Sequence, residues 1–350
     1  MTIDLGGVAS HSLPFGSVAV IIPCYNEEVT IGKVVDDFRR VLPGAEVWVY
    51  DNNSSDATAR IAREHGARVR REPRQGKGNV VRQMLRDIDA DCYLMVDGDD
   101  TYPAEAAPEL VRPVLAGRAD HVVGDRLSNG TYGEENKRQF HGFGNGLVRW
   151  LIRVLYGFDY FDVMTGYRAM SRPFARTYPV LSPGFEIETE LSIHAVDKRW
   201  RIEQVPIEYR DRPEGSESKL NTISDGVKVL RMIASLFKDY RPLPFFMLLA
   251  VLFLVLCLTL GLPVVYEFGR TGLVERFPTA FLAMGFGILA ALFIAVGLIL
   301  DTEVKASRRA WELECIRAFE EDKAKRAKSR RLYQSARTGQ GNDQPNHRFG

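Results

Sequence analysis

An α/β domain on a doubly wound, mostly parallel sheet, followed by a two-helix transmembrane hairpin, is the architecture predicted for this 350-residue chain. Three observations predict it. From residue 17 short, nearly all-apolar runs alternate with amphipathic stretches, the pattern of strands buried on both faces and joined by helical crossovers. Polar clusters fall where three of those strands end, the edge at which open α/β sheets bind ligands. Two later stretches, 243–266 and 277–300, contain no charged residue.

The elements follow in order. SVAVIIP is a strand, and EEVTIGKVVDDFRRVL a helix with apolar positions at 31, 34, 35, 38, 41 and 42. EVWVY is a second strand, and SSDATARIAREHG a helix with Ser54 or Ser55 as cap and Gly66 as stop. ARVRR is a short strand, GKGNVVRQMLRDI a helix and DCYLMV a buried strand. The motifs PCYNEE, DNNSSD and DGDD close the first, second and fourth strands. In RQGKGN, Lys77 stands between two glycines ahead of a helix, where backbone N–H groups and one ammonium can approach a phosphate. No GxGxxG follows the first strand and no GxxxxGK[ST] occurs, which counts against a dinucleotide oxidoreductase and a P-loop NTPase.

LMVDGDDTYP carries Asp97, Asp99 and Asp100 at one chain reversal. Like charges repel there, so either the turn is solvated or a cation sits on it and something anionic sits on the cation.

Each uncharged stretch is about 36 Å long as a helix, enough for a hydrocarbon core of about 30 Å. Buried helices of globular proteins rarely run so far without a polar face. EFGRTGLVER joins the two, and Lys and Arg crowd both outer flanks, which predicts a multi-pass protein of the cytoplasmic (inner) membrane with both flanks in the cytosol. The predicted order is an N-terminal tail (1–16), the α/β domain (17–220), a basic amphipathic interfacial helix (221–240), the hairpin (243–300), a basic juxtamembrane helix resting on the anionic leaflet (301–334) and a disordered tail (335–350). A formal net charge of +1 gives no reason to expect a nucleic-acid partner. The four cysteines lack metal-ligand spacing and are expected to be reduced; His141 and His194 are expected to be structural. No basic segment precedes an apolar run at the N-terminus, so no signal peptide is expected.

IPCYNEE, YDNNSSDAT, QGKGN, VDGDD, VGDR, DVMTGYR and RPEGSESKL occur in this order over residues 17–240. Together they resemble the GT-A family 2 glycosyltransferases, specifically the dolichyl- and polyprenyl-phosphate sugar synthases. The resemblance implies a GT-A domain that transfers one sugar, with inversion, from a nucleotide diphosphate sugar to a polyprenyl (undecaprenyl) phosphate. It implies a Mg²⁺ or Mn²⁺ cofactor on Asp99, with Asp97 between metal and ribose. The family often has Gln as third ligand where this chain has Thr101; Asp100 is an alternative. By the same resemblance Pro23, Tyr25, Glu27 and Asp51 take the nucleotide and Lys77 its diphosphate. Asn52 replaces a frequent family Asp. A UDP-sugar is favoured over a GDP-sugar.

A phosphate monoester is already anionic near neutrality, so the acceptor needs positive charge and alignment more than deprotonation. Arg126, Lys137, Arg138, Arg212 and Lys219 are the candidate cations, and Asp162 is either a base or the orienter of a basic residue. Glu188 and Glu190 either pair with the acceptor's basic residues or lie on a solvated helix face. VDKRW resembles part of the Q-x-x-R-W motif of processive polysaccharide synthases, but Val196 replaces the Gln and two spans cannot form a polymer channel. Two alternatives stay open: a family 2 enzyme with a hydroxyl acceptor such as a glycolipid, and an inactive nucleotide-binding membrane scaffold. A homo-oligomer formed by bundled spans is a further expectation.

Overall fold

The protein is seen here as a computed structural model that describes residues 16–127, 162–210 and 237–339, with scattered positions between them (146, 149–150, 152–154, 157–159, 213 and 235). Lys137, Arg138, Arg212 and Lys219 lie outside the described residues, as do the tail 1–15, nearly all of 221–236 and residues 340–350. The chain divides into two units, residues 1–220 with 313–350, and residues 221–312.

In the first unit the described strands are β1 (Val18–Cys24), β2 (Glu46–Asp51), β3 (Arg68–Arg71), β4 (Cys92–Met95), β5 (His121–Asp125), β6 (Arg168–Ser171) and β7 (Ile202–Pro206). They form one sheet in the order β3-β2-β1-β4-β6-β5-β7. All pairings are parallel except those of β6, which runs antiparallel to both β4 and β5. The two reversals at β6 restore the direction of β4 in β5, so the carboxyl ends of β1, β2, β4 and β5 lie along one edge. Strand residues such as Val20, Ile21, Ile22, Leu94 and Met95 are wholly buried, which is why these runs show no alternation.

The helices include α1 (Ile31–Val41), α2 (Thr58–Glu64), α3 (Lys77–Asp87), α4 (Ala107–Leu115), α5 (Arg172–Thr177) and α6 (Ile187–Asp197). α1 buries Ile31, Val34, Val35 and Phe38, the predicted stripe. α2 is shorter than expected. Its N-cap is Ala57 rather than Ser54 or Ser55, because both serines are engaged with Asn26 of the preceding motif. Gly66 does end it, at φ +86°.

In the second unit α7 (Pro242–Thr271) and the start of α8 (Phe277–Gly339) are long and apolar enough to cross a membrane. Leu248, Val265 and Ile299 are each 67 % exposed, so this apolar surface is not a protein core. The helices approach through small residues: a Cβ on Gly261 would lie 3.5 Å from that of Ala283, and one on Gly287 3.3 Å from Cys257 Sγ. The connection is shorter than EFGRTGLVER. α7 continues to Thr271 and stops at Gly272, whose φ of +71° suits a left-handed cap.

α8 is one helix where the sequence suggested a span, a separate basic helix from 301 and a disordered tail from 335. From residue 313 it belongs to the first unit and does not stand free. Phe319 meets Trp200 at 5.7 Å between ring centres, and Lys325 Nζ donates to Asp89 at 2.8 Å.

Candidate active site

The loops after β1 and β2 are fastened to each other by side chains. Asn26, at φ +53°, donates its N–H to Ser54 Oγ at 2.9 Å and accepts from the Ser55 N–H at 2.8 Å. Glu27 N–H donates to Thr58 Oγ1, and Glu28 accepts from the Ala57 N–H, so Glu28 serves the start of α2 from outside the helix. Pro23 closes β1 opposite Tyr50, Tyr25 is 39 % exposed, Glu27 is half-buried, and Asp51 is buried while accepting from the Ser54 N–H. Asn52 donates to the carbonyls of Glu72 and Arg74 and accepts from the Gly76 N–H. A carboxylate could not make the first two bonds, so Asn in this position clamps the loop ahead of α3.

At the end of β4 the turn is held by Thr30, whose Oγ1 donates to the Gly98 carbonyl at 2.6 Å. Gly98 separates the two aspartates because a Cβ there would come within 2.7 Å of Cys24 Sγ. Asp99 is buried and accepts from Thr101 Oγ1 at 2.7 Å. Asp100, at φ +59°, accepts from Lys33 Nζ of α1 at 2.7 Å, so its carboxylate here is engaged with α1 rather than with Asp99 and Thr101. Among the described residues no three His, Cys, Asp or Glu side chains form a metal-holding cluster. The donors expected from the sequence at this turn, Asp97, Asp99 and Thr101, are two carboxylates with one hydroxyl beside them. That set is all oxygen and incomplete, which fits a hard divalent cation that fills its shell from water and substrate phosphates.

Lys77 opens α3. Its ammonium contacts Asp97 and lies 2.5 Å from Glu188 Oε1. Burial works against its charge, but the two carboxylates outweigh this and hold its pKa above the ordinary lysine value. The flanking glycines do a different job from the one the sequence suggested. A Cβ on Gly76 would collide with the Pro183 carbonyl, and one on Gly78 with that of Ser182. The N–H groups of Gly78 and Asn79 donate to the carbonyls of Gly184 and Pro183. The first turn of α3 is thus bound to the 182–184 segment and does not offer those N–H groups to a phosphate.

α6 lies beyond that segment. Glu188 and Glu190 are neither a solvated face nor, among the described residues, partners of the acceptor cations. Glu190 accepts from the N–H groups of Leu181 and Ser182, and Glu188 takes Lys77. Burial raises the Glu188 pKa, with Lys77 opposing it. The signal was present: IETELSIHA has no amphipathic period, as befits a helix buried all round.

Arg126 follows β5 and forms a fork on Asp162. Nε donates to Oδ2 at 2.6 Å and Nη2 to Oδ1 at 3.1 Å, with Asp162 wholly buried. Its guanidinium lies over the rings of Tyr102 and Tyr209, at 5.9 and 5.3 Å. Tyr102 OH also accepts from the Gly166 N–H at 2.9 Å. A Cβ on Gly166 would strike the Asp97 carboxylate, so the glycine of DVMTGYR leaves room for that group. Arg168, fully buried, shapes the same loop by donating to the carbonyls of Val163 and Thr165. Arg168 closes the DVMTGYR motif and Tyr102 follows DGDDT, so both were in view, but neither was given a role, because nothing local tells that the side chain is buried against a distant loop.

Residues 19–177 match the model of Glycosyl transferase family 2. Glycosyltransferase AglJ of Haloferax volcanii is 32 % identical over 302 residues, 85 % of this chain and 98 % of that one. The chain belongs to glycosyltransferase family 2. A second relative of this glycosyltransferase, the dolichyl-phosphate hexose transferase of the same organism, is 32 % identical over 227 residues, covering 65 % of this chain and 96 % of the relative. Among solved structures, glucosyl-3-phosphoglycerate synthase from Mycobacterium tuberculosis in complex with Mn²⁺, UDP-glucose and phosphoglyceric acid is similar over 67 % of this chain and 84 % of its own, with a TM-score of 0.52 at 25 % identity. The sheet is that of a GT-A enzyme, and two potential membrane helices follow it.

Proposed function

We propose that this glycosyltransferase moves a single sugar from a nucleotide diphosphate sugar to a polyprenyl phosphate at the cytoplasmic face of the inner membrane, with inversion. The observation that carries the reading is one sheet edge bearing oxygen-rich acidic loops beside two buried cations, Lys77 and Arg126. The relative named for dolichyl phosphate supports the lipid acceptor, and the two apolar helices would hold the enzyme beside it. The complex of the similar M. tuberculosis enzyme with UDP-glucose and Mn²⁺ supports a UDP-sugar ahead of a GDP-sugar.

Pro23, Tyr25, Glu27 and Asp51 receive the nucleoside in the fastened β1 and β2 loops, and Lys77 faces the diphosphate. Asp97 and Asp99, with Thr101 beside them, would hold Mg²⁺ or Mn²⁺, which when bound would supply positive charge against the leaving diphosphate. The acceptor phosphate is already anionic, so Arg126 binds and aligns it, joined by Lys137, Arg138, Arg212 and Lys219. Both oxygens of Asp162 are committed to the Arg126 fork, which suits an orienter better than a base. In-line attack then needs no covalent glycosyl-enzyme.

The test is to incubate the purified chain with a panel of nucleotide sugars and undecaprenyl phosphate, then to read product mass and the anomeric coupling constant. An α-linked donor should give a β-linked polyprenyl phosphate. Transfer to a hydroxyl acceptor alone, or retained configuration, overturns the reading. Cysteines introduced at 270 and 310 test the topology: only position 310 should be labelled from the cytosol.

A further inference from the structure

We propose that Glu188 is a positioning residue of the donor site, which retains the Lys77 ammonium while Asp97 engages a divalent cation. This rests on the reading of Asp97 and Asp99 as the cation-binding pair. Lys77 is buried and touches two carboxylates, one from the β4 turn and one from α6. A divalent ion and an ammonium repel when they share one carboxylate, and a buried ammonium stripped of every carboxylate is strongly disfavoured. With Asp97 as its sole partner, Lys77 would compete with the ion for that group. Glu188 removes the competition, because Lys77 keeps a counter-charge when Asp97 turns away.

The scaffold holds Glu188 to this task. Glu190, two residues on, fixes the Leu181 and Ser182 N–H groups, and the segment 182–184 packs on Gly76 and Gly78, either side of Lys77. Ser192 Oγ donates to the Val163 carbonyl at 3.2 Å and ties the same helix to the loop of Gly166, which abuts Asp97. One connected set of contacts therefore positions all three charged groups. Glu188 lies beyond residue 177, where the match to the family model ends.

The experiment is Mn²⁺ binding to the full-length chain in the presence of UDP, followed by calorimetry and by loss of the free Mn²⁺ spin-resonance signal. Wild type, Glu188→Gln, Lys77→Gln and the double variant are compared. Glu188→Gln should weaken Mn²⁺ binding about tenfold, and should change it less than about twofold when Lys77 is already Gln. Equal Mn²⁺ affinity in wild type and Glu188→Gln overturns the inference alone, as does an equal loss in the Lys77→Gln background. Wild type that takes up no Mn²⁺ overturns the reading of the acidic pair as well. Should Lys77→Gln not fold, Glu188→Asp decides, since it keeps the charge one methylene short; wild-type Mn²⁺ affinity in that variant overturns the positioning role.

Discussion

Lys77 and Arg126 are both buried cations at the same sheet edge, yet they are held in different ways. Lys77 is a compact charge on a flexible stem, shared between carboxylates from two separate elements. Arg126 is a planar fork, bonded through two nitrogens to one wholly buried carboxylate and walled by Tyr102 and Tyr209. A shared point charge can give up one partner and keep the other. A bidentate fork cannot rotate without losing both bonds. The difference teaches that the Lys77 side can exchange a partner, whereas the Arg126 side is built to stay fixed.

The largest expected effect lies on the exchanging side. Asp99→Asn should lower the transfer rate roughly 100- to 1000-fold, since the charge that holds the cation against the leaving diphosphate is lost. The fold should survive, because the Asn carbonyl oxygen can still accept from Thr101. The check is kcat of the purified variant beside its melting temperature; full activity, or full activity of wild type in EDTA, breaks the donor half of the comparison.

The next effect lies on the fixed side and has the opposite signature. Asp162→Asn leaves the Arg126 guanidinium buried without its counter-charge, which should cost about 3 kcal/mol of stability. Transfer should fall about tenfold to a hundredfold through lost alignment. Thermal unfolding and the acceptor KM check this together. A variant that loses activity at unchanged stability would mean that Asp162 acts as a base and the fork is incidental.

These contrasts explain what could be read from the chain alone. The succession of strands and helices along the chain up to β4, the motif-bearing loops and the two long apolar helices were legible because each depends on residues near one another in sequence. The acidic pair was legible for the same reason. The partnerships were not: Lys77 with Glu188 spans 111 residues and Arg126 with Asp162 spans 36. The glycines of QGKGN show the limit most clearly. A local pattern suggested a phosphate cradle, whereas the distant 182–184 segment fills that space. Asn52 behaves likewise, a departure from the family pattern that becomes intelligible once its three backbone partners are seen.

The smallest effect concerns a support common to both cations. His121 opens β5, which leads to Arg126, and His194 sits on α6, which carries Glu188; both rings pack against Phe174, at 4.9 and 5.8 Å. Burial, with Lys198 adding to it, pushes the His194 pKa down to about 3. Burial, Arg168 and His194 push that of His121 well below the ordinary value. An unfolded histidine takes up its proton below about pH 6.5. Between there and the depressed folded values the unfolded chain binds more protons, so stability must fall as the pH falls. The loss should be about 2 kcal/mol per histidine between pH 6.5 and 5. Urea unfolding of the detergent-solubilised chain across that range checks the slope, and His194→Phe should roughly halve it while keeping the aromatic packing. Because the cluster underlies both sides, donor affinity and the Arg126 fork should weaken together on acidification; a loss confined to one side would show that the two cations rest on independent scaffolds.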